Sequence, residues 1–141
     1  MEVKKILVPV CGNSADGEAV KLACDLAKKS KAEVYVVYII EVPRTLPLDA
    51  QIDSEMQKAE ELLTRAEDIA ADQDYEIETD LLQAREAGPG IVDEAVQRKV
   101  DRIIMGIPYK KYLGVFNQGT ASRYVLRESQ CPVLLYREQI P

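Results

Sequence analysis

Histidine is missing from all 141 residues. Its absence removes Ser-His-Asp and Cys-His catalysis and the commonest zinc ligand. Cysteine stands only at positions 11, 24 and 131, with no metal-ligand spacing and no even-numbered set for a disulfide framework. A reducing cytoplasm is the simplest compartment for such thiols. Long apolar runs are missing too. The longest, Val34 to Ile40, is far short of the ~20 residues a membrane-spanning helix needs, and Met1-Glu2-Val3-Lys4-Lys5 leads straight into a strand-like run with no room for a signal peptide. There is no excess of positive charge: 18 Lys and Arg face 24 Asp and Glu, for a net charge of −6. That balance argues against a nucleic-acid partner, because no surplus of cations exists to neutralise a phosphate backbone. No repeat, low-complexity stretch or linker interrupts the chain, and an apolar share of 47% is enough to bury a core. Residues 1–141 are therefore expected to form a single soluble domain.

What is present alternates two hydrophobic periods. Ile6-Leu7-Val8-Pro9-Val10 has the continuous apolar character of a strand buried on both faces. Asn13, Ser14 and Asp16 supply capping side chains for a helix whose Val20, Ala23, Cys24 and Ala27 share one face. Val34 to Ile40 is a second buried strand, and Pro43 and Pro47 mark a loop after it. A long helix then presents Ile52, Met56, Ala59, Leu63, Ala66 and Ala70 along one face. Tyr75 to Leu82 alternates like an edge strand. Gly88-Pro89-Gly90 is expected to break the chain before a short helix with Ile91, Val92, Ala95 and Val96 inward. Arg102 to Met105 is a fourth strand closed by Gly106, a loop runs from Ile107 to Gln118, a last helix covers about Thr120 to Glu128, and Pro132 to Tyr136 is the fifth strand. This β-α-β order with right-handed crossovers predicts a three-layer, doubly wound α/β sheet. Pro9 removes a ladder donor, but it lies near the carboxyl end of its strand, where pairing can stop.

In such a sheet a ligand crevice lies beyond the carboxyl ends of the strands, where strand order reverses. Two loops are candidates: Cys11 to Ser14 after the first strand, and Gly106 to Lys111 after the fourth. Gly119-Thr120-Ala121-Ser122 opens the last helix, so backbone N–H groups with two flanking hydroxyls make a phosphate-type site there. Glycine at a strand end and Gly-Thr at a helix start also serve as plain turn and cap, so this pattern has both readings. Cys11 has no histidine to activate it and is read as a small side chain, not a nucleophile.

Across essentially its whole length the chain resembles the universal stress proteins. The resemblance rests on Lys5 to Val10, on Asp101-Arg102-Ile103-Ile104-Met105-Gly106 and on Cys131-Pro132-Val133-Leu134-Leu135-Tyr136-Arg137. It implies an adenine-nucleotide α-hydrolase-like fold with five parallel strands in the order 3-2-1-4-5. It also implies an antiparallel homodimer through Val133, Leu134, Leu135 and Tyr136. That agrees with the composition of this strand, since an uncovered apolar edge invites pairing. Nucleotide-binding members carry Gly, two residues, Gly, nine residues, then Gly with Ser or Thr. Here Gly106 matches the first glycine and Gly119-Thr120 the last pair, with Ser122 at a further hydroxyl position, but Tyr109 replaces the second glycine. The usual aspartate after the first strand is Cys11, and the lost charge-assisted hydrogen bond is worth about 1.5–3 kcal/mol. Pro9, Val10, Cys11, Ile39, Met105, Gly106, Tyr109, Gly119, Thr120, Ala121 and Ser122 are the nucleotide-site residues the resemblance implies.

Two functions follow. In the first, a dimeric, non-catalytic regulatory protein of the stress response holds ATP or AMP, with Mg2+, in the crevice. In the second, Tyr109 closes the crevice, Pro108 withholds a donor, and the dimer serves only an unidentified protein partner. Lys110 and Lys111 could face phosphates, and Tyr112 and Phe116 could form an aromatic lid with Tyr109. Enzymes of related folds are disfavoured: no acidic pair follows the first strand, and no carboxylate pair can be placed at the crevice for acid–base work.

Overall fold

The computed structural model describes residues 2–109, 111–112, 115–116 and 120–140. The chain runs β1 (Lys5–Val10), α1 (Asp16–Lys28), β2 (Glu33–Glu41), α2 (Asp53–Asp72), β3 (Glu78–Ala84), α3 (Ala87–Arg98), β4 (Arg102–Ile107), β5 (Lys111–Tyr112), β6 (Val115–Phe116), α4 (Thr120–Glu128) and β7 (Val133–Arg137). Five strands form one all-parallel sheet in the order β3-β2-β1-β4-β7, which is the expected 3-2-1-4-5 with β7 as the fifth strand. The short β5 and β6 pair antiparallel inside the stretch expected as a loop.

Each central strand feeds two cores, which is why its interior is a continuous apolar run. Val34, Val36, Tyr38 and Ile40 of β2 pack with Ala19, Val20 and Ala23 of α1 and with Ala59, Leu63 and Ala66 of α2. Tyr35, Val37 and Ile39 point to the opposite face, where they meet Ile91 and Ala95 of α3 and Val125 of α4. Full burial of one such Val, Leu or Ile side chain is worth about 1.5–3 kcal/mol.

Four local expectations need correction. Gly88-Pro89-Gly90 does not break the chain before α3; it forms the first turn of that helix. Proline is tolerated there because its missing N–H would have had no helical partner. A methyl group on Gly88 would lie 2.8 Å from Tyr124 Cβ, so the glycine lets α3 and α4 approach. Gly88→Ala is expected to destabilise by about 1–2 kcal/mol, as overpacking outweighs the helix propensity gained; chemical denaturation checks this. Val96 is not inward but 49% exposed, in the last turn of α3. β3 spans Glu78–Ala84 and not Tyr75 to Leu82, since Asp74 takes a left-handed φ of 55° and Tyr75 is used to finish α2, its N–H donating to Ala70 O. The last is the start of α1, where no side chain caps at Ala15. Asp16 instead reaches back, accepting from the Gly12 N–H at 2.6 Å and the Cys11 N–H at 3.2 Å. Gly12 permits that return with φ +93°.

The two sheet edges differ. On β3, Glu78 and Asp80 form ion pairs with Arg98, and charge of this kind blunts an edge. On β7, Val133 and Leu135 pack inward against the core, while Leu134 stays 42% exposed. Among the described residues, no helix is long and apolar enough to cross a membrane.

Candidate functional site

The sheet splits between β1 and β4. These strands are in register only at Ile6 with Arg102 and Leu7 with Ile103. Beyond that point each stays bound to its outer neighbour: β1 follows β2 as far as Val10 opposite Tyr38, and β4 follows β7 as far as Ile107 opposite Arg137. Pro9, which has no N–H, lies past the last β1–β4 pair. The proline that looked like an objection to a central strand therefore stands where one ladder has already ended.

Asn13 bridges the gap. Its amide Nδ2 donates to Gly106 O at 3.1 Å, and its Oδ1 accepts the Ala15 N–H at 2.8 Å. Gly106 meets the start of α1 so closely that an added Cβ would sit 2.4 Å from Ala15 O. The loops after β1 and β4 thus share one rim, as the strand order requires.

A cavity of about 330 Å³ opens at this rim, within the range of small-ligand sites. Its apolar wall comes from Pro9, Val10, Ile39, Ile91, Met105 and Ile107. Cys11, Asn13, Thr120 and Ser122 supply polar atoms, and Ala87, Gly106, Pro108 and Ala121 complete the lining. Nine of the residues implied by the resemblance are therefore brought to one cavity: Pro9, Val10, Cys11, Ile39, Met105, Gly106, Thr120, Ala121 and Ser122. Tyr109 is not among the lining residues. Its ring lies beside the Arg137 guanidinium, 5.0 Å from carbon to centroid, so it does not fill the cavity as the closed-crevice reading requires. Gly119 and Lys110, with the side chains of Lys111, Tyr112 and Phe116, lie outside the described residues.

Sequence reasoning missed the contribution of α3. Ala87 and Ile91 are one turn apart on the face toward the crevice, and the i, i+4 spacing was the available signal. It also missed Glu138, just after β7. Glu138 Oε2 accepts from the Ser14 hydroxyl at 2.7 Å, and its Oε1 accepts the Tyr109 N–H at 2.9 Å. The Glu138 N–H in turn donates to Ile107 O at 2.9 Å. One carboxylate thereby ties together the two loops that border the cavity.

Two titratable groups stand at the rim, Cys11 and Asp16. Burial pushes the Cys11 thiol up, the neighbouring Asp16 adds to the effect, and hydrogen bonds from Asn13 oppose it less strongly. A thiol kept protonated is a poor nucleophile. Burial also raises the Asp16 carboxyl, against the opposing N–H groups of Gly12, Cys11 and Asn13. Its oxygens are turned to the backbone and not to the cavity. No carboxylate lines the cavity among the described residues, and these residues hold no group of three or more Cys, Asp or Glu placed to bind a metal.

Comparison with known proteins gives a consistent result. The model of the universal stress protein family matches residues 2–137. A universal stress protein of Methanocaldococcus jannaschii is 33% identical, over 96% of this chain and 82% of its own. Among solved structures, a universal stress protein from Archaeoglobus fulgidus in complex with dAMP superimposes with a TM-score of 0.77 at 24% identity, covering 96% of this chain and 98% of that one. Another, in complex with cAMP, gives a TM-score of 0.76 at 18% identity, covering 97% and 98%.

Proposed function

The chain belongs to the universal stress protein family, and from that premise we propose that it is a non-catalytic regulatory protein that binds an adenine nucleotide in the crevice between β1 and β4. The observation that carries this reading is the cavity itself. An apolar wall of Val10, Ile39 and Met105 faces the hydroxyl-bearing start of α4 at Thr120 and Ser122. A flat base is held by apolar contact, and a phosphate by hydroxyls and N–H groups at a helix start. The dAMP and cAMP complexes of structurally similar proteins support the same ligand class.

AMP suits the lining better than a magnesium-bound triphosphate. Mg2+ takes oxygen ligands, commonly one or two carboxylates together with phosphates. The described lining offers hydroxyls and an amide, with no carboxylate, and both oxygens of Glu138 at its border already accept hydrogen bonds, from Ser14 and Tyr109. The described residues therefore do not fit a protein-held Mg2+. The reading of a regulator without turnover is supported by the same lining, which among the described residues has no acid–base pair, and by a thiol held protonated.

A thermal shift tests binding. AMP at 100 times its dissociation constant should add about 2.7 kcal/mol of stability, visible as a clear rise in Tm. No rise at millimolar AMP or ATP would overturn the nucleotide reading. The same proposal includes a homodimer formed by antiparallel pairing of β7 with its copy. This is supported by the apolar β7 edge standing opposite the charge-blunted β3 edge.

A further inference from the structure

We propose that Glu138 is a specificity determinant: a fixed anion at the crevice mouth that admits nucleosides and monophosphates and turns away polyphosphate chains. The inference rests on the nucleotide reading above and concerns which nucleotide the crevice takes.

Two donors from different loops, the Ser14 hydroxyl and the Tyr109 N–H, converge on one carboxylate at 2.7 and 2.9 Å. Donors that converge in this way form an anion site. Here the chain fills it with its own Glu138, whose backbone is pinned to Ile107 O. The location matters because Asn13 and Pro108, the chain neighbours of Ser14 and Tyr109, both line the cavity. The carboxylate therefore stands at the border of the cavity, between the two loops that frame it.

No lysine or arginine lines the cavity among the described residues. The adjacent Arg137 is laid over the Tyr109 ring. Each phosphate beyond the first adds negative charge near a fixed negative charge, and it finds two of the rim donors already taken. A monophosphate seated at the start of α4 meets neither penalty. Selectivity of this kind comes from a repulsive element, not from a better contact to the preferred ligand.

The test measures dissociation constants of adenosine, AMP and ATP by calorimetry for the wild-type chain, Glu138→Gln and Ser14→Ala. The wild type should bind AMP about tenfold or more tightly than ATP. Glu138→Gln keeps the shape and one amide acceptor but removes the charge. It should tighten ATP about tenfold, tighten AMP by less than about threefold, and leave adenosine unchanged. Ser14→Ala loosens the clamp yet keeps the charge, so the preference for AMP should survive. Added salt should narrow the wild-type preference, as screening of exposed charge requires. If Glu138→Gln and Ser14→Ala weaken all three ligands alike, Glu138 is only a staple and the proposal falls while nucleotide binding stands. Equal affinity of the wild type for AMP and ATP has the same consequence. If the wild type binds none of the three, the nucleotide reading falls and the role of Glu138 falls with it.

Discussion

Gly106→Ala should lower the stability of the domain by about 3 kcal/mol, at the upper end of the usual cost of overpacking, and should abolish nucleotide binding. The substitution adds one carbon at the place where β4 passes under the start of α1. That carbon would lie 2.4 Å from Ala15 O and 2.7 Å from Ala15 C, and the obstacle is backbone, so no rotamer change relieves it. Either β4 moves away from α1 or the turn from Cys11 to Ala15 is displaced. Both routes break the hydrogen bond from Asn13 to Gly106 O and deform the cavity rim. For a domain of this size the loss corresponds to a fall in Tm of roughly 8–12 °C. Differential scanning calorimetry with and without AMP reads both effects. An unchanged Tm, or a fall in Tm with AMP affinity intact, would mean that this contact does not shape the site.

Leu134→Asp is expected to convert a dimer into a monomer while leaving the fold in place. Leu134 sits on the outer strand of the sheet, 42% exposed, next to Val133 and Leu135 that face the core. In a two-fold interface the same patch meets its own copy. Each substitution would therefore bring two carboxylates into the interface without a compensating cation, a cost of several kcal/mol. Light scattering coupled to size exclusion should report half the wild-type mass, with an unchanged far-ultraviolet circular dichroism spectrum. A wild type that is already monomeric at micromolar concentration, or a variant of unchanged mass, would remove β7 as the interface.

The residues of the candidate site differ in how they could be found. Val10, Ile39 and Met105 belong to strands whose apolar runs were legible along the chain, and strand order placed their carboxyl ends together. Thr120 and Ser122 were legible from a helix start that offers hydroxyls beside backbone N–H groups. Tyr109 differs for a physical reason. A bulky residue at a motif position suggests obstruction, but the direction of its side chain depends on Arg137, which arrives from the far end of the chain and takes the ring. The start of α3 was misread because Gly-Pro-Gly has strong turn chemistry in isolation. Tertiary packing against Tyr124 and Ile39 overrides that preference and uses the small residues for close approach.

Composition and periodicity alone determined the α/β class and the alternation of strands and helices, because burial on two faces writes continuous apolar runs and burial on one face writes a helical stripe. They also determined which catalytic chemistries are missing, since no folding can supply an imidazole the chain does not contain. The pocket's boundary was decided only in three dimensions. Glu138 lies 124 positions from Ser14 and 29 from Tyr109, and Gly106 meets Ala15 across β4 and α1. Contacts between such distant positions leave no local period, so they exist only once the parallel sheet has brought strands from both halves of the chain side by side.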